Sequence, residues 1–201
     1  MSKPRTALSR PPRDDVRTQI LEAASSEFAA KGFADARVDA IAEAAGFTKG
    51  AVYSNFGGKD DLFYALLHQQ IELRTEIAAR IVADLPPTVD EAIDVLSSRL
   101  TASITQNREW QMLFFEYWVR AMRDPQRRAV FAEHRRVARA AIARQIDSVL
   151  AQTSLRVSVS TEQMALVILG LVNGLSVEAL ADDDAVPGAL LGDVVRGFLR
   201  P

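Results

Sequence analysis

The chemistry available to this chain is concentrated between Thr48 and Lys59, in the run Thr48-Lys49-Gly50-Ala51-Val52-Tyr53-Ser54-Asn55-Phe56. Val52 and Phe56 lie one helical turn apart and would turn an apolar side inward. The side left over carries Lys49, Gly50, Ala51, Tyr53, Ser54 and Asn55, a small, polar and flat surface suited to a duplex groove. Lys49 can donate to guanine O6 and N7, Gly50 and Ala51 allow close approach and can meet a thymine methyl, and Ser54 and Asn55 can serve a base edge or a phosphate. Thr48 has the hydroxyl to accept an orphan N–H at the helix start and, like Lys59, to hold a phosphate. Lys59 also stands at a helix amino terminus, whose free N–H groups favour an anion. For Asn55 the alternative is a helix-end polar residue.

Other chemistries find little to work with. Cysteine is absent, which removes disulfides, thiolate metal sites and cysteine nucleophiles. No His/Asp/Glu cluster at metal spacing, Gly-rich phosphate loop or nucleophile-base pair can be named, so no catalytic residue, metal or cofactor is expected. His68 and His134 stand alone on helical patterns, and surface or core roles suit them best.

The elements that must position the reading surface lie upstream. Val38, Ile41, Ala42 and Ala45 recur at helical spacing, and Gly46 then breaks the pattern with a residue that tolerates positive φ. Phe47 can plug the space between this helix and the next, which makes a helix-turn-helix. A bracing helix should precede it from Asp14 or Asp15 to Lys31, buried through Ile20, Leu21, Ala24 and Phe28, with Gly32 as its left-handed cap.

The run Ile41-Ala42 through Ala45-Gly46, then Thr48-x-Gly50-x-x-Tyr53-x-x-Phe56 and Lys59-x-x-Leu62, resembles the amino-terminal domain of the tetracycline-repressor (TetR) family. The match runs over roughly residues 14 to 62 and is specific, because the second helix and its continuation fall in register with an upstream amphipathic helix. Where the family places Ser or Thr at the start of the first motif helix, this chain has Ala36 and Arg37, and Arg37 becomes a candidate for that backbone-phosphate contact. The resemblance implies that Tyr53 stands against DNA, with a packing aromatic as its alternative. It also implies a homodimer joined by a four-helix bundle, and it makes repression the expected sign of regulation.

Beyond the reader the pattern stays helical, with about nine helices in an all-α fold. Residues 1–13 hold Lys3, Arg5, Arg10 and Arg13 with no acid, a basic arm that offsets a net charge of −2 for the whole chain. A solvated tail of no consequence is the alternative. Residues 14–58 form the helix-turn-helix domain and residues 59–201 a ligand-binding and dimerisation body. A long helix from Lys59 to Asp84 opens this body and ends at Pro86-Pro87; Thr88 with Glu91, and Ser160 with Gln163, read as capping boxes.

Trp110, Phe114, Tyr117 and Trp118 crowd one segment of the body and are candidates to line a site for a small apolar or aromatic effector, with core packing the default for any one of them and a body that only dimerises as the alternative. The Arg-rich stretch Arg127, Arg128, Arg135, Arg136, Arg139 and Arg144 reads most simply as a solvated face, with an acidic ligand or a second nucleic-acid surface as its alternatives. The segment after Ser160 is apolar almost all round, so Leu166, Gly170, Asn173 and Gly174, with Val194 and Phe198 of the last helix, are expected at a subunit interface. Their alternative is the monomer's own core.

One reading helix touches few base pairs, so two copies on a pseudo-palindromic double-stranded operator are expected. The longest apolar run, residues 165–172, is short of the ~20 residues that cross a bilayer, and no secretory pattern follows Met1. A cytoplasmic protein with no membrane partner is the expectation.

Overall fold

The computed structural model describes residues 13–83, 88–152 and 156–200. The basic arm through residue 12, the Pro86-Pro87 stop and residues 153–155 lie outside the described residues.

Helix α1 (Arg13–Asp35) opens with Asp14 and Asp15, acids that suit the positive end of the helix dipole. Ile20, Ala24 and Phe28 form its buried stripe. The expected cap at Gly32 takes a different form. Its φ of 71° comes with a ψ of 177°, an extended mirror-image conformation open essentially only to glycine, and the chain kinks there before Phe33 stacks back on Phe28 with ring centroids 5.6 Å apart.

Helix α2 (Val38–Ala44) ends in a Schellman motif. The N–H of Gly46 donates to Glu43 O at 3.0 Å and that of Phe47 to Ala42 O at 2.9 Å, while Gly46 takes φ 74°. Helix α3 (Lys49–Phe56) follows at once, capped by the Thr48 hydroxyl, which accepts from Ala51 N at 3.2 Å. Val52 and Phe56 of α3 are buried with Ile41 and Ala42 of α2, and Phe47 at the turn is half-buried.

Helix α4 (Lys59–Ala83) starts inside this first compact unit, which runs through Leu66. Leu62 and Phe63 are fully buried there, and the Phe63 ring meets Phe33 edge-on at 5.9 Å.

The second unit runs from Leu67 and contains α5 (Val89–Thr105), α6 (Arg108–Met122), α7 (Pro125–Gln152), α8 (Thr161–Ala181) and α9 (Leu190–Phe198). Its helix starts are well marked. Thr88 accepts from Glu91 N at 3.3 Å; Ser160 and Gln163 form a full reciprocal capping box. Asp124 caps α7 by accepting from the N–H groups of Gln126 and Arg127, with Pro125 in the first helical position, where its missing N–H costs nothing. Those N–H donors, Arg127 first, hold the Asp124 carboxyl below the usual range.

Helix α8 packs on α5, α6 and α7, and α9 closes against α5. Ile104, Val172, Ala179, Val186 and Leu191 form the buried heart of this packing. A Cβ at Gly192 would stand 3.0 Å from the Ser97 hydroxyl, so close approach of α9 to α5 favours glycine there. β1 (Arg156–Val157) lies antiparallel to β2 (Leu199–Arg200), joining Val157 to Leu199. This pairing takes over from α9, which ends at Phe198.

Candidate functional site

The exposed side of α3 is built by burial of its opposite side. With Val52 fully buried and Phe56 nearly so, Lys49, Gly50, Tyr53 and Ser54 are left facing water, and Ala51 and Asn55 are half-buried. Tyr53 stays 46% exposed.

Asn55 is tied into the helix end: its side-chain amide donates to Ala51 O at 2.8 Å and its backbone carbonyl accepts from Arg17 at 3.0 Å. The Arg17 guanidinium also lies 4.1 Å above the Phe56 ring. Ser54 donates to Ala51 O at 2.9 Å and is free to turn toward a ligand, since a hydroxyl rotates at little cost.

Beside this face is a concavity of about 350 Å³ lined by Ala36, Arg37, Val38, Asp39, Lys49, Tyr53 and Lys59. Its cations are not equivalent. Lys59 donates to the carbonyls of Ala34 and Ala36, both at 2.9 Å, and its ammonium lies 4.8 Å from the Phe33 ring centre. The residue expected at a phosphate therefore spends two donors tying α4 to the turn between α1 and α2. Arg37 is the most exposed of the group and caps α2 without a side-chain bond, its own N–H reaching Glu27 at 3.3 Å.

Asp39 was not among the expected site residues. Its carboxylate sits 2.7 Å from the Lys49 ammonium and 3.7 Å from Arg37, in the middle of the surface meant for DNA. The hydrogen bond from Lys49 holds the Asp39 carboxyl below its ordinary range, and the same bond raises Lys49. No pattern along the chain announces it, because the two residues meet only across the α2–α3 crossing.

In the second unit the aromatic segment packs on itself. Tyr117 is fully buried and Phe114 nearly so, and Phe131 of α7 meets Phe114, Tyr117 and Trp118 at 5.9, 6.3 and 5.8 Å. Trp110 and Trp118 are half-buried.

On α8, Leu166, Val167 and Val177 are exposed at 53%, 37% and 49%, in one stripe with the exposed Gly170 and Gly174. A Cβ on either glycine would meet nothing within 4 Å. Asn173, Val194 and Phe198 are half-buried. By length and composition α8 is also apolar enough to cross a membrane, with a mean hydropathy of 1.9 over its richest window, a property the shorter run 165–172 had hidden.

Residues 20–66 match the model of the bacterial regulatory proteins of the tetR family, and residues 92–200, more than half of the chain, match that of the carboxy-terminal domain of BetI-type transcriptional repressors. The chain belongs to the TetR family. The HTH-type transcriptional repressor AcnR of Corynebacterium glutamicum is 25% identical over 192 residues, covering 92% of each chain. AcnR of Corynebacterium efficiens is 29% identical over 174 residues, 83% of this chain and 87% of that one. The solved structure of Salmonella enterica GusR shares the fold with a TM-score of 0.69 at 20% identity, over 96% of this chain and 98% of that one. As a TetR-family member the chain is a DNA-binding transcriptional regulator and not an enzyme, all-α in fold, with an amino-terminal helix-turn-helix and a helical carboxy-terminal domain.

Proposed function

We propose that this protein is a cytoplasmic repressor that binds a pseudo-palindromic operator as a homodimer and leaves it when a small molecule occupies the second unit. The observation that carries the DNA half is the α3 surface. Lys49, Gly50, Tyr53 and Ser54 stand exposed on a helix whose back is locked by Val52 and Phe56, the arrangement a major-groove reader needs. Arg37 beside it is placed for a backbone phosphate.

The dimer half rests on α8. Glycine inside a helix costs about 1 kcal/mol relative to alanine, and no described residue comes close enough to require it at 170 or 174. An apolar stripe with glycines at its centre suits a second copy of the same helix at close range, and it accounts for the exposed Leu166, Val167 and Val177 better than a membrane does. Leu166, Gly170, Asn173, Gly174, Val194 and Phe198 are the proposed contacts. The resemblance to AcnR, which is named a repressor, supports the sign of regulation.

A second reading has an observation behind it. Tyr117 is fully buried and Phe114 nearly so, so both serve packing first, and a body that only dimerises would look the same at those two positions. The half-buried Trp110 and Trp118 remain the residues able to touch an effector.

Selection of bound sequences from a random duplex pool tests the proposal, with an inverted repeat as the expected product. Lys49→Ala and Tyr53→Ala should each weaken binding to the selected duplex by about tenfold or more, 1–3 kcal/mol per specific contact, without lowering the thermal midpoint. Unchanged affinity in both would reject the assigned surface.

A further inference from the structure

The row of arginines on α7 is not a uniform solvated face. Arg127 pairs with Asp124, and Arg136 with Glu133. Arg135 has neither carboxylate nor carbonyl as a partner among the described residues. Its guanidinium lies 5.2 Å from the Trp118 ring centre and 5.9 Å from that of Phe114, half-buried against the wall that α6 offers α7. Stacking occupies only the flat face of a guanidinium, and its N–H edge has no bond from the described residues. A desolvated cation in a protein ordinarily meets a carboxylate, because leaving it unpaired costs more than the ring faces return. Burial accordingly pushes the Arg135 pKa down to about 10, and Arg139 adds to the fall. Arg139, one turn further along and half-buried, also lacks an acid among the described residues, so the pair repels where most helical pairs would attract.

We infer that Arg135, seconded by Arg139, receives the carboxylate of an apolar acid whose body lies along Trp118. The guanidinium fork matches a carboxylate in two parallel hydrogen bonds, the half-buried indole offers the apolar surface, and both belong to the same α6–α7 seam. The carboxylate supplies the negative charge the seam lacks. This deepens the effector proposal, on which it rests, by giving the ligand a charge and a place. Phe114 and Tyr117 then serve as the floor that holds Trp118 and Arg135 in position, which agrees with their burial.

The test is titration of the full-length protein, without DNA, followed by tryptophan emission. The probes are phenylacetate and octanoate, their uncharged amides, and inorganic phosphate alone. At least one acid should quench emission saturably and bind about tenfold or more tighter than its amide, a difference of about 1.4 kcal/mol. Arg135→Gln should abolish the preference for acid over amide, and Arg135→Lys should restore it only in part, because an ammonium cannot make the paired bonds. Should Arg135→Gln fail to fold, the acid-to-amide ratio of the unaltered protein still decides. Equal binding of acids and amides, saturation by phosphate alone, or no binding of either acid at millimolar concentration each overturns the inference. A parallel titration of the selected operator keeps the two claims apart. Acid binding that leaves the operator complex intact would sink the effector reading and keep the site, whereas operator binding without acid binding would sink the site alone.

Discussion

Asp39 changes what the reading surface is at the level of single residues. The place of Lys49 at the start of α3 was legible, but not the carboxylate that holds it, because the two meet only through the angle between α2 and α3. Both side chains are about half exposed, so DNA can exchange the pair without a large penalty. Asp39→Asn should therefore tighten binding to duplexes of any sequence and steepen the fall of affinity with salt by about one unit of slope, as expected for one more cation free to release counterions. Salt titration against selected and scrambled duplexes measures both, and an unchanged slope would count against the pair as a brake.

The histidines answer to a different variable. The ring of His134 meets that of His68 edge-on at 5.9 Å, and His68 reaches Glu72 at 3.5 Å. Burial first, then the charge of His68, lowers the pKa of His134 from 6.5, with Glu133 pulling the other way. A base whose folded pKa lies below its unfolded one stabilises the fold above the unfolded value and withdraws that support as pH falls through the folded one. The thermal midpoint should drop between about pH 7 and pH 5, and His134→Gln should flatten that drop. A wild-type midpoint level across this window would exclude His134 as its cause.

Among the elements, local chemistry decided what could be read in advance. The α3 bounds, the Thr48 cap and the Ser160–Gln163 box followed from side chains that reach only their own helix. Asp124-Pro125 carries an equally local signal, an acceptor followed by a residue without an N–H, and it opens α7 as a cap just after α6 ends at Met122.

Gly32 shows where local reading ends. The residue type predicted a positive φ, but the packing of Phe33 between Phe28 and Phe63 selects the extended ψ in place of the left-handed helical one. Gly32→Ala should cost about 1–3 kcal/mol, more than alanine's usual gain in a helix would return. Chemical denaturation would measure it, and a neutral result would mean that the kink can relax. Lys59 and Arg135 failed to declare themselves for the same reason. Whether a cation meets a phosphate, a pair of carbonyls or an aromatic wall depends on which helix lies opposite, and spacing along one helix does not contain that.

For the molecule as a whole, the all-helical plan and the reader were legible, while the boundary between compact units was not. The first two turns of α4 bury Leu62 and Phe63 with the reader, so the unit reaches Leu66 where the helix-turn-helix pattern had suggested an earlier end. Gly170→Arg should leave the helical fold of each chain in place and separate the copies. Sedimentation would then report a monomer, and affinity for the inverted repeat should fall by orders of magnitude because each half-site is held alone. A dimer that survives the change would move the interface away from α8.

If α8 is the seam of the proposed dimer, its bare stripe ties the protein's lifetime to its concentration. In the proposed dimer, each time two copies part, Leu166, Val167 and Val177 meet water. Dilution then works as a solvent stress, and any second copy acts as a ligand that raises the melting temperature by mass action. Its own product level would thus set how long each molecule escapes proteolysis, before any operator or effector enters the account.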